Sequence, residues 1–175
     1  MNFRDLMDLP YSNDTCCIDF TALKSALPST PESVLEQLYA DHGRNSDFQD
    51  QYENLNISAI DWQLEEMPAI EIANSSFYQE FSSWYQSVMG RPAQFTTKSW
   101  DCIDVRKSVR AHWKEHTTWE VSPVLFAQSV FSIDARYHLV EGHTRVALLK
   151  GLIQNNIVSK NSIHTVWVGR AKNHK

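Results

Sequence analysis

The sequence predicts an α+β fold, a small mixed sheet with flanking helices, on three observations. Short stretches rich in β-branched and aromatic residues, "PVLF", "RYHLV" and "HTVWVG", read as strands. Other segments carry apolar residues at helical spacing between start and stop signals. With 175 residues, 42% hydrophobic and 21% charged, the chain is long enough to bury an ordinary core without disulfides or a structural metal.

Taken in order, residues 1–28 show weak periodicity, with a short helical piece at "FTALKSAL". In "STPESVLEQLYADHG", Ser29 and Glu32 have capping-box spacing, Pro31 suits the first turn and Gly43 the stop, with Val34, Leu35, Leu38 and Tyr39 inward. The polar "RNSDFQDQYENLN" reads as loop or a short helix. "AIDWQLEEMPAIEIA" alternates, with Ile60, Trp62 and Leu64, then Ile70 and Ile72, as two strand pieces broken at Pro68. "SSFYQEFSSWYQSVMG" reads as a helix capped by Ser75 or Ser76 and stopped at Gly90, burying Phe77, Phe81, Trp84, Tyr85 and Val88. A further helix covers "WDCIDVRKSVRAHWKEH", with Asp101 or Asp104 near its start and Ile103, Val109 and Trp113 inward. The strands "PVLF", "RYHLV" and "HTVWVG" complete the sheet, and a helix from about His143 to Ile153 separates the last two. The expected organisation is an acidic, mainly helical extension over 1–56, an α+β domain over 57–170 and a basic tail over 171–175.

No run approaches the 18 apolar residues of a membrane span, and the N-terminus has acidic residues and no apolar signal core. The three cysteines have no metal-ligand spacing and suit reduced thiols in a cytoplasm, with Cys16 and Cys17 expected as small core filler. The net charge of −5 hides an asymmetry. Residues 1–90 carry fifteen Asp/Glu against three Lys/Arg, whereas residues 91–175 carry thirteen Lys/Arg against six Asp/Glu. The halves therefore face each other or address different partners, and an anionic ligand belongs with the second half.

The stretch that carries chemistry is "YHLVEGHTRVALLKGL", a strand, a Glu-Gly corner and a helix. Gly142 permits a tight turn and close approach of a ligand. The helix that follows aims unpaired N–H groups and its positive end outward, Thr144 adds a hydroxyl, and Arg145 adds a planar fork. This is the recipe for an anion site at a helix N-terminus. The bland alternative is a cap by Glu141, with His143 and Arg145 solvated or tied to the acidic half.

"LVEGHTRVALLKG", with its preceding strands, resembles the corner of the ParB/sulfiredoxin-like superfamily over roughly residues 122–169. The resemblance implies phosphate binding by Gly142, Thr144 and Arg145, and a nucleotide or other phosphorylated small molecule as ligand. Sulfiredoxins have a catalytic Cys where this chain has His143, so sulfinic-acid repair is not expected. Partitioning ParB proteins have a Glu there and a following helix-turn-helix domain, and this chain ends shortly after its last strand. The small-molecule kinase branch is closer at the corner. That likeness implies Glu141 and His143 in proton transfer or on a divalent ion, with a nucleotide and Mg2+ as cofactors. Phosphoryl transfer depends mainly on positioning and charge neutralisation, so such a sparse set is chemically adequate. Gly142→Val or Arg145→Ala is then expected to abolish nucleotide binding with the fold retained.

"HWKEH", His112 to His116, matches the H-x-x-E-H zinc pattern, but only Glu120, Asp134 and Glu141 remain downstream as a further carboxylate ligand. The same helix, through Arg106, Arg110 or His112, reads better as a basic flank of the anion pocket. His138 and His164 fall inside strands as satisfied structural histidines. The acidic total and the lack of a recognisable module argue against nucleic-acid binding. A function of another class remains open. In it the fold serves as a non-catalytic bacterial immunity protein or antitoxin, whose acidic half, with Glu65, Glu66 and Glu71, covers a basic protein toxin.

Overall fold

Four strands make one mixed sheet whose two faces are both covered, which the alternation of apolar residues explains. The computed structural model describes residues 1–131 and 135–172. Strands β1 (Ile60–Pro68), β2 (Val124–Ala127), β3 (Tyr137–Glu141) and β4 (Ile163–Ala171) lie in the order β1-β4-β2-β3. β4 runs antiparallel to β1 and parallel to β2, and β2 pairs antiparallel with β3. Successive side chains of a strand point to opposite faces. Leu125, Ala127, Leu139, Val166 and Val168 accordingly enter one core, and Val124, Phe126, Val140, Ile60 and Trp62 enter the other. All four residues of β2 are buried, as expected of a central strand covered on both sides.

The second core is built largely from the N-terminal residues, which form a layer on the sheet. It comprises a 3-10 turn at Phe3–Asp8, α1 (Phe20–Ala26), α2 (Glu32–Val34) continued by a π-helical stretch at Leu35–Ala40, and α3 (Ser46–Tyr52). Phe3, Leu6, Leu23, Val34, Leu35, Leu38 and Tyr39 are wholly buried there. The opposite face carries α4 (Ala69–Ala73), α5 (Ser82–Gly90), α6 (Phe95–Lys98), α7 (Lys107–His116) and α8 (His143–Gln154). The molecule is thus α+β. α8 buries most of its length, and at Gly151 a Cβ would run into the Met89 carbonyl, so α5 and α8 approach closely only because that residue is glycine.

Several expectations need correction. Ile70 and Ile72 lie in α4, not in a strand: Pro68, which has no N–H for the ladder, ends β1 at φ −58° and leads into a helix. Ala69, Ile72 and Ala73 then face inward at i, i+3, i+4, and Ile70 is exposed. Leu64, expected inward on β1, is 52% exposed. No capping box forms at Ser29: Pro31 is the cap of α2, and Glu32 pairs instead with Lys24. Neither Ser75 nor Ser76 caps a helix, because Ser76 is held extended against β3 by Ser76 N–H to Tyr137 O (3.0 Å) and Leu139 N–H to Ser76 O (2.7 Å). α5 starts later, and Gly90 does not stop the chain, which runs into a 3-10 turn at Arg91–Gln94. Cys16 is exposed in a turn at φ +59° and is not core filler; Cys17 is half-buried beside Asp41.

Other readings hold. His138 bonds the Tyr52 hydroxyl (2.7 Å) and the Ser76 hydroxyl (2.9 Å), and His164 bonds Thr118 (2.8 Å) and Ser162 (2.9 Å). Burial pushes both imidazoles down to about 4, so both are neutral core groups at neutral pH. The charge halves do meet: Arg170 pairs with Glu65, and Arg136 with Glu71. Asp134 and the tail beyond Lys172 lie outside the described residues. Among the described residues no helix is long and apolar enough to cross a membrane.

Candidate functional site

β3 ends at Glu141 and α8 starts at His143, leaving Gly142 to turn the chain at φ +95°. A Cβ at that residue would lie 2.7 Å from Pro123 Cβ and 3.0 Å from Arg145 Nε and NH2. Both the left-handed backbone and the lack of space therefore demand glycine. Gly142 is the N-cap of α8, and no side chain caps it. The first helical bond runs from Val146 N–H to Gly142 O (3.0 Å), so the preceding N–H groups have no intrahelical acceptor.

Glu141 and Arg145 stand one helical turn apart and meet: Arg145 NH2 donates to Glu141 Oε1 at 3.0 Å. His42 Nε2 lies 3.1 Å from the other carboxylate oxygen. Arg145 also donates to Val121 O (2.8 Å) and to Gln37 Oε1 (3.0 Å), while Gln37 donates to Ser122 O (3.1 Å). The corner is thereby tied to the N-terminal layer by two side chains, Gln37 and His42. Burial alone would raise the Glu141 carboxyl, but the His42 hydrogen bond and the Arg145 charge outweigh it and hold the group below its ordinary value. Burial lowers the Arg145 guanidinium, with the Glu141 charge opposing.

A cavity of about 350 Å³ opens between α7 and the corner. Its charged and polar side chains are Arg106, His112, Glu120, Glu141, Thr144 and Arg145, with Trp113 and Trp119 also in its wall. The basic flank expected from α7 is present through Arg106 and His112, whereas Arg110 turns to Asp101 (3.1 Å). Arg106 is fixed by Asp104 through two 3.0 Å hydrogen bonds and remains largely exposed. The His112 and His116 rings are 4.5 Å apart on α7, but no group of three metal-ligating side chains forms among the described residues.

The predicted site residues divide. Glu141, Gly142, Thr144 and Arg145 line this cavity. His143 instead lines a second cavity, of about 360 Å³, with His42, Phe48, Phe81 and Trp84, and among the described residues only Glu141 and Thr144 border both. Burial, more than the opposing Glu141 charge, pushes the His143 imidazole down to about 4, and its buried Nε2 has no hydrogen-bond partner among the described residues. Arg145 is less free than its sequence position suggests, because both terminal nitrogens are engaged. Gln37, His42, Glu120 and Trp119 border the site without having been assigned to it from sequence. Of these only Glu120 carried a local hint, as a carboxylate just after the basic helix.

No family model, curated protein or solved structure matches the chain. Function therefore rests on the geometry of the corner.

Proposed function

We propose that this chain is a ParB/sulfiredoxin-like protein that binds a nucleotide or another phosphorylated small molecule in the cavity between α7 and the corner at 141–145. One observation carries the reading: an uncapped N-terminus of a twelve-residue helix opens beside a cavity that also holds Thr144, Arg106 and His112. Free helix amides and the dipole favour an anion, and a hydroxyl with a partly free guanidinium completes its oxygen shell. The order strand, strand, corner, apolar helix, strand agrees with the resemblance. Binding is favoured over phosphoryl transfer as the basic activity. Glu141 has both oxygens engaged by His42 and Arg145, which leaves it poorly placed to take a proton. A divalent ion carried in with the phosphate would meet Glu120, the exposed carboxylate on the cavity wall.

Calorimetry with ATP, CTP and pyrophosphate, with and without magnesium, tests the reading. Micromolar-range heats are expected to weaken about tenfold in Thr144→Val and in Arg106→Gln, each of which removes a donor to a charged group. The absence of binding for all three ligands in the unsubstituted protein refutes it. Gly142→Val does not serve as a probe, because the backbone and Pro123 leave no room for a side chain.

A further inference from the structure

The second cavity differs from the first in every wall that the two do not share. His42 stacks on Phe48 (ring centroids 4.4 Å, 5° between planes), and Phe81 lies 4.7 Å from the His143 ring and 5.8 Å from Tyr78. Trp84 stands at the mouth with 45% of its surface exposed, an unusual position for so large an aromatic side chain. Around these rings sits acid. Asp47 closely precedes Phe48 on α3 and Asp50 follows it, while Glu80 adjoins Phe81; all three are exposed. The Tyr78 phenol, whose ring lies 5.8 Å from that of Phe81, is pushed above its ordinary value by desolvation, then by the charge and hydrogen bond of Glu80 and the charges of Asp47 and Asp50. None of the three forms an ion pair among the described residues.

This surface also revises where the acidic half is free. Glu65 and Glu71 are taken up by Arg170 and Arg136, so a basic partner has less to gain there than at Asp47, Asp50 and Glu80. Aromatic faces attract cations at short range, and unneutralised carboxylates attract them from farther away. Toward this side the Arg145 charge is offset by Glu141. His143, nine-tenths buried in the wall, has an Nε2 that is unpartnered among the described residues. A neutral imidazole in the Nδ1–H form lacks only a donor there, which a guanidinium has and a quaternary ammonium does not. The three carboxylates disfavour a phosphate or any other anion in this cavity.

We propose that the cavity lined by Phe48, Phe81, Trp84 and His143 is a docking site for an arginine side chain presented by a basic protein partner, with Asp47, Asp50 and Glu80 steering it in. The guanidinium stacks on Trp84 and Phe81 and offers an N–H to His143. This site is independent of phosphate binding on the other side of Thr144.

The test uses the full chain and a hexa-arginine peptide, followed by calorimetry and by Trp84 fluorescence at about 50 mM salt, where surface charge is weakly screened. Trp84→Ala is expected to weaken binding about tenfold. Asp47→Asn/Asp50→Asn/Glu80→Gln is expected to weaken it at least as much. A control with the same change in net charge, Asp8→Asn/Asp14→Asn/Glu36→Gln, is expected to change it less than about twofold. The proposal is overturned if hexa-arginine does not bind, or if the control triple weakens binding as much as the cavity triple. It is also overturned if Trp84→Ala has no effect, or if adenosine perturbs Trp84 where hexa-arginine does not. Trp84 and the three carboxylates are exposed, so these variants keep the fold, and thermal melts confirm it.

Discussion

Two cavities of nearly equal size share the wall residues Glu141 and Thr144, yet one adds Arg106, Arg145 and His112 and the other adds Phe48, Phe81, Trp84 and His143, with Asp47, Asp50 and Glu80 exposed next to those rings in sequence. The strand-to-helix corner itself does not make that difference. Its charges cancel locally, since Glu141 lies between Arg145 and His42. Each side takes its character from what packs beside the corner, α7 on one flank, α3 and the start of α5 on the other. A neutralised pivot with opposite flanks lets one short motif serve two kinds of ligand.

Acidification charges three buried histidines, one of which, His143, stands in the wall of the second cavity, and it is the largest effect expected. His138, His143 and His164 titrate near 4 in the folded chain, against about 6.5 in an unfolded one. The unfolded chain therefore binds more protons between these values, so their stabilising contribution is complete above about pH 6.5 and is lost as pH falls toward 4. The slope is about 1.4 kcal/mol per pH unit for each histidine. Urea midpoints at pH 7 and pH 5 check this, and equal midpoints contradict it.

Breaking the pivot comes next. Glu141→Ala leaves Arg145 part-buried without its carboxylate and is expected to cost about 3 kcal/mol in urea unfolding, with Glu141→Gln milder. Gly142→Ala is expected to cost about 2 kcal/mol or more, from the positive φ and the contact with Pro123. If either substitution is neutral, the corner is not the rigid joint between layers described above.

The smallest changes in stability carry the sharpest contrast. Arg106→Gln and Trp84→Ala, at largely exposed residues, are each expected to alter unfolding by less than about 0.5 kcal/mol. Arg106 borders the first cavity and not the second, so Arg106→Gln should weaken pyrophosphate without weakening hexa-arginine, and Trp84→Ala should do the reverse. If each variant affects both ligands equally, the two cavities act as one site.

The legibility of all this in sequence was uneven for physical reasons. β2, β3, β4 and α8 could be read nearly to the residue because β-branched runs, a corner glycine and helical spacing agree there. The segment after Pro68 misled, since Ile70 and Ile72 alternate like a strand while the burial of Ala69, Ile72 and Ala73 follows a helix. Small alanines hide such a face from hydrophobic pattern alone. Ser76 looked like a cap, but a tertiary contact with β3 holds it extended. At the site, Gly142 to Arg145 are neighbours in sequence and were visible. Gln37 and His42 reach Arg145 and Glu141 from 108 and 99 residues away, so no local pattern could announce them. Nor could sequence show that His143 would part from its neighbours and face a different cavity.

The claim on which the rest depends is that the N-terminus of α8 holds phosphate, and amide NMR during a pyrophosphate titration tests it most directly. Saturable shifts are expected, centred on the backbone N–H groups of His143, Thr144 and Arg145, with Arg106 following and Trp84 unmoved. Shifts confined to other basic positions such as Arg170 and Lys172, or none at all, would contradict it.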